Sequence, residues 1–187
     1  MPKKFLSQRR QALEERFFQE QEAQKMSQLR DALVAKKDRQ ELQSASGIED
    51  GKLLDALVHL HVGAGDLCAL SVIPLVRVGW ADGSMSDKEK NAILEAAHKQ
   101  GVLEGSHGHE LLDAWLTRAP GSELYGAWEA YLESLLANME EDERTTLKES
   151  IVGLAHDVAS AAGGILGIAS ISASEKTALE AITSAFE

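Results

Sequence analysis

The chain has 187 residues, 44% of them hydrophobic and 26% charged, with 3 prolines and one cysteine. That is enough apolar sequence for one core of about 100–150 residues plus an appendage, it excludes a wholly disordered chain, and it leaves Cys68 without a partner for an internal disulfide. The net charge of -11 is unevenly placed: residues 1–46 hold ten Lys and Arg against seven Asp and Glu, a balance of +3, so the remainder carries -14, which argues against a nucleic-acid partner, whose phosphates need clustered cations.

The opening decapeptide MPKKFLSQRR passes into charged sequence without the apolar run of a signal peptide. The most apolar stretch, Leu67 to Ala81, is interrupted by Ser71, Pro74 and Arg77 and is shorter than the ~20 residues of a spanning helix. A cytoplasmic location with no transmembrane segment is the expectation. From about Ser7 to Ser44 there is no Pro or Gly, and Ala, Leu, Glu, Gln, Lys and Arg predict one long helix. Its apolar residues, Leu13, Phe17, Phe18, Met26, Leu29 and Leu33, form a narrow stripe rather than a core face. Phe17 and Phe18 are adjacent, so they point about 100° apart and one of them is exposed unless something binds it. Docking into a protein partner's groove, or self-association as a coiled coil, would bury both.

The segment QALEERFFQEQEAQKMSQLR, Gln11 to Arg30, resembles the inhibitory segment of the mitochondrial ATP synthase inhibitor protein, with Gln11, Ala12, Glu14, Glu15, Arg16, Phe18 and Gln21 matching without a gap. The resemblance implies a helix that wedges into a catalytic interface of a rotary head. It makes Phe17 and Phe18 the anchors, pairs Glu14 with a basic residue of the partner, and assigns Glu14, Glu15, Arg16, Phe17, Phe18 and Gln21 to partner binding. Phe17 replaces the family's tyrosine, and Arg10 stands where the family keeps an acid tied to its pH response.

Gly47 and Asp50-Gly51 end the long helix, which divides the chain into a charged helix, 1–46, and a helical bundle, 47–187. A short helix is expected over Lys52 to Leu60. His59 and His61 lie two apart, on different helix faces, and are read as core or surface histidines rather than joint ligands. Asp66 is placed to cap the next helix, whose apolar residues Leu67, Leu70, Val72, Ile73, Leu75, Val76 and Val78 run almost all round and mark the centre of the bundle. Pro74 should kink that helix or begin a new turn. Ser86 opens a further helix and Gly101 closes it. The run S-H-G-H-E, Ser106 to Glu110, is a helix-capping loop in preference to a transition-metal site.

Helices are then predicted over residues 108–118, 122–139, 142–162 and from Ser172 to the end, divided by Ala119-Pro120-Gly121 and by Glu140-Glu141-Asp142. The glycine-rich run from Ala161 to Gly167 lacks a P-loop lysine and a preceding strand, and reads as a close helix contact or hinge. Trp80, Trp115 and Trp128 fall on apolar faces and are expected in the core. No nucleophile has a base and an orienting partner at a diagnostic spacing, so an enzyme is not expected.

SDKEKNAI at 86–93 and SASEKTAL at 172–179 are S-x-x-E capping boxes 86 residues apart, a spacing that fits an internal duplication. The first follows Trp80 directly, and W-A-D-G-S-M-S-D-K-E resembles the signature of the TerB-like tellurite-resistance domain, an all-helical fold. The resemblance covers about Leu53 to Phe186, with a degenerate second copy at Gly167 to Glu175. It implies a role in stress response, in a peripheral assembly at the inner face of the membrane, and associates divalent cations with acidic residues. Asp82 and Glu89 are the metal candidates here. Calcium wants six to eight oxygens and the second copy carries Ile168 and Ala169 in place of Asp82 and Gly83, so a turn at Gly83 and a helix start at Ser86 are the preferred reading, with no cofactor and a divalent cation as the alternative. The expectation is an all-α protein, a TerB-like helical bundle preceded by a long helix, acting as a non-catalytic interaction module. Inhibition of a rotary ATP synthase and divalent-metal sensing are the alternatives.

Overall fold

Strong helix formers without Pro or Gly from Lys3 to Ser46 yield a single helix, α1, from Pro2 to Ser46. It ends where Gly47, at φ +70°, donates its N–H to the Gln43 carbonyl at 2.9 Å. The computed structural model describes the backbone of residues 2–161 and 171–187 and the side chains of residues 20–161 and 171–187. The chain divides into two units, Met1–Gln40 and Glu41–Glu187. In the first, every residue from 20 to 37 is exposed. The second begins with the closing turn of α1, in which Leu42 is fully buried, and Ser46 links that turn to the buried Ile48 by accepting its N–H.

Among the described residues the second unit is all helical. Asp50 caps α2 (Gly51–His59) by accepting from the Lys52 N–H at 2.8 Å. At its other end the Val62 N–H reaches the Leu57 carbonyl and the His61 N–H reaches that of Val58, a Schellman closure. That closure holds His61 at φ +61°, a conformation usually left to glycine.

The apolar segment that follows is not one helix. A 3-10 turn at Ala64–Asp66 leads into α3 (Leu67–Leu70), and a separate helix, α4, covers Ile73–Gly79. Pro74 lies in the first turn of α4 and has no N–H to offer the Leu70 carbonyl, so the ladder cannot run through, and the new-turn outcome prevails over a kink. Val72, Ile73, Leu75, Val76 and Val78 have no exposed surface, as the all-round apolar pattern requires.

The remaining helices are α5 (Asp87–Lys99), α6 (His107–Thr117), α7 (Ser122–Leu136), α8 (Glu141–Ala161) and α9 (Ala173–Ser184). Helix α4 packs against α5, α7, α8 and α9, while α2 meets α7 and α3 meets α6. The pairs α4–α5 and α8–α9 engage reciprocally: α4 touches α8 and α9, and α8 touches α4 and α5. Each pair's second helix opens on the same capping box. Ser86 accepts from the Glu89 N–H while buried Glu89 accepts from the Ser86 N–H at 2.8 Å, and Ser172 and buried Glu175 repeat the exchange. At the end of α4 the approach is close enough that a Cβ on Gly79 would sit 2.8 Å from the Met85 side chain and 3.1 Å from Ile93. Trp115 and Trp128 are core residues, and half-buried Trp80 donates its indole N–H to the Trp115 carbonyl at 2.9 Å.

Two substitutions separate backbone strain from packing. His61→Gly relieves the left-handed residue and is expected to raise unfolding free energy by about 0.5–1 kcal/mol after the entropy cost of glycine. Trp128→Ala empties the core and should lower it by about 3–5 kcal/mol. Urea denaturation followed by circular dichroism measures both.

Candidate functional site

Large apolar side chains normally find cover, and between residues 20 and 37 of α1 they do not. Met26, Leu29, Leu33 and Val34 are 61%, 60%, 68% and 54% exposed. Spacings of three and four residues put Met26, Leu29 and Leu33 within an arc of about 60°, at 100° per residue. Glu22 lies on the same arc before them and Lys36 follows at its edge, both exposed. Gln21 is exposed too. The other partner-binding candidates, Glu14, Glu15, Arg16, Phe17 and Phe18, have their backbone in α1 and their side chains outside the described residues.

The two metal candidates serve different local ends. Exposed Asp82 forms an Asx turn, its Oδ1 accepting the Ser84 N–H at 2.8 Å and the Ser84 hydroxyl at 2.9 Å, beside Gly83 at φ +88°. Glu89 is buried and its Oε2 is bonded to the Ser86 N–H. Among the described residues no three His, Cys, Asp or Glu side chains gather in a way that could hold a metal ion. In the S-H-G-H-E run, Ser106 caps α6 by accepting from the His109 N–H. His59 and His61 are both exposed. Residues 162–167 of the glycine-rich run lie outside the described residues.

One polar constellation has no local signature. Asp66 begins α3 but gives that helix no side-chain cap. Its buried carboxylate turns back to accept the Gly63 N–H at 2.9 Å and reaches across to the His107 Nδ1 at 2.8 Å. Gly108 packs beside the pair, at a distance where a Cβ would make ordinary contact with Asp66 Oδ1 and Ala69. The hydrogen bond that His107 donates to Asp66, and then the carboxylate's charge, hold the imidazole above the usual histidine range, against an opposing effect of burial. The sequence separation of 41 between the partners explains why spacing alone cannot find the pair. It ties the start of α6 to the turn before α3 and has the form of a structural lock.

A shallow groove of about 500 Å³ is lined by Met139, Asp142, Glu143, Thr146, Leu147 and Ser150. Its acids belong to the first turn of α8, where the helix dipole favours them and where Glu143 accepts the Glu140 N–H at 2.9 Å. No single helix among the described residues is long and apolar enough to cross a membrane. Comparison with protein-family models, with curated proteins and with solved structures finds no match.

The Asp66–His107 lock has a pH signature. A raised histidine pKa stabilises the fold fully below the ordinary value of about 6.5, and the contribution disappears as pH rises through the raised value. An NMR titration should place the His107 midpoint above 6.5, and Asp66→Asn should return it toward that value and flatten this part of the stability profile.

Proposed function

We propose that this protein is a non-catalytic interaction module in which α1 is the recognition helix and residues 47–187 form a TerB-like bundle that carries it. The observation behind this reading is the unbroken exposure of residues 20–37, with Met26, Leu29 and Leu33 aligned on one arc. Apolar side chains in that arrangement gain free energy only when another surface covers them, which is how amphipathic helices dock into grooves. The stress-response type, and a cytoplasmic place with a peripheral membrane assembly, follow from the W-A-D-G-S-M-S-D-K-E resemblance. Its Asp82–Gly83 turn and Ser86 cap support that part of the reading.

A second reading is inhibition of a rotary ATP synthase. What favours it is that Gln11 to Arg30 lies wholly within the uninterrupted α1, the conformation a wedging inhibitory segment requires.

Affinity purification from the native host followed by mass spectrometry tests the first reading. Replacing Phe17, Phe18, Leu29 and Leu33 together by Ala should abolish recovery of the partner while leaving the thermal transition of the bundle unchanged, and undiminished recovery overturns it. A peptide spanning Lys3 to Gln43, added to purified ATP synthase, decides the second: unchanged ATP hydrolysis removes it.

A further inference from the structure

We propose that the exposed arc of α1 pairs antiparallel with the same arc of a second copy of this chain, centred near Leu29. This rests on α1 being the recognition element and names its partner. Met26, Leu29 and Leu33 have the alternating three-and-four spacing of a coiled-coil seam, and all three are more than half exposed. Spacing leaves the orientation open, and charge decides it. On the seam, Glu22 stands seven residues before Leu29, and Lys36 stands seven residues after it at the seam's edge.

A parallel pair in register would set Glu22 against Glu22 and Lys36 against Lys36. It would also bring Lys25 of one helix toward Arg30 of the other, since in parallel coiled coils the residue flanking one seam position faces the residue five places on in the partner. All three contacts are repulsive. Reversing one helix about Leu29 brings Glu22 within a turn of Lys36 at both ends and removes Lys25 from Arg30, leaving Arg30 beside Arg30 at the centre as the one like-charged contact, against two attractive ones. The same three apolar residues are covered either way, so the attraction at the two ends selects the antiparallel arrangement. Both ends are exposed, so the selection weakens with added salt.

Sedimentation equilibrium of the full chain over a range of concentrations is expected to show reversible dimers, with Leu29→Asp plus Leu33→Asp raising the dissociation constant by roughly tenfold or more. Glu22→Lys and Lys36→Glu should each weaken the dimer, and the two together should restore it. That rescue belongs to the antiparallel pair alone, because in a parallel pair the double swap leaves like facing like. Spin labels in a Cys68→Ser background give the geometry directly. At Gln28→Cys, beside the centre, the two labels should be near neighbours along the axis, whereas at Ala35→Cys they should be offset along it by about 20 Å, at 1.5 Å per residue. Equal label distances at both positions, or a double swap without rescue, overturn the antiparallel pairing. A chain that stays monomeric at every concentration overturns the inference as a whole. A monomer that still recovers another protein through α1 leaves the recognition-helix reading standing, so the two fail separately.

Discussion

A helix with no polar side to turn outward governs the second unit. Helix α4 is seven residues long, too short to persist on its own hydrogen bonds, and its apolar residues are inaccessible to water. It exists because α5, α7, α8 and α9 surround it, and they are held together because it gives each of them an apolar surface to bury. Its one charged residue escapes sideways: Arg77 pairs with Glu129 at 2.8 Å and lies over the Tyr125 ring, 5.4 Å from its centre. Burial pushes the Tyr125 phenol above its usual range, with the guanidinium acting in the opposite direction.

Helix α1 obeys the opposite logic. Its length and its strong helix formers favour the helix over residues 20–37, where no residue is buried. What α4 gains from enclosure, α1 gains from intrinsic propensity. The two regimes meet in the last turn of α1, where Leu42 joins the core. A helix with no residue buried over 20–37 keeps its apolar arc available, and that availability is what the interaction reading uses.

The parts of the fold legible in the sequence are those whose causes are local. Ser86 with Glu89, Ser172 with Glu175, and Gly101 at φ +90° act within four residues of themselves, and each marks its helix end where it was expected. The all-round apolar run identified the centre, although its division at Ser71–Val72 depended on the missing N–H of Pro74 and on packing that no window of sequence contains. His61 was invisible as a helix terminator because the closure is made with a residue that seldom adopts it. Asp66 was read as the cap of α3, whereas its carboxylate accepts from Gly63 before it and from His107, which arrives through the tertiary fold. For the candidate site, the arc of Met26, Leu29 and Leu33 was evident from spacing, whereas the exposure of these residues required the coordinates. Both family resemblances remain statements about sequence, with helix, turn and cap as their structural counterparts.

The placement of the tryptophans carries an optical consequence. Trp80, Trp115, Trp128, Tyr125 and Tyr131 all fall in the second unit, and α1 contains neither residue type. Tryptophan and tyrosine fluorescence therefore watches the bundle, whereas the helical state of α1 is followed through its amides. A melting curve read at both wavelengths would resolve two units that either signal alone would merge or miss.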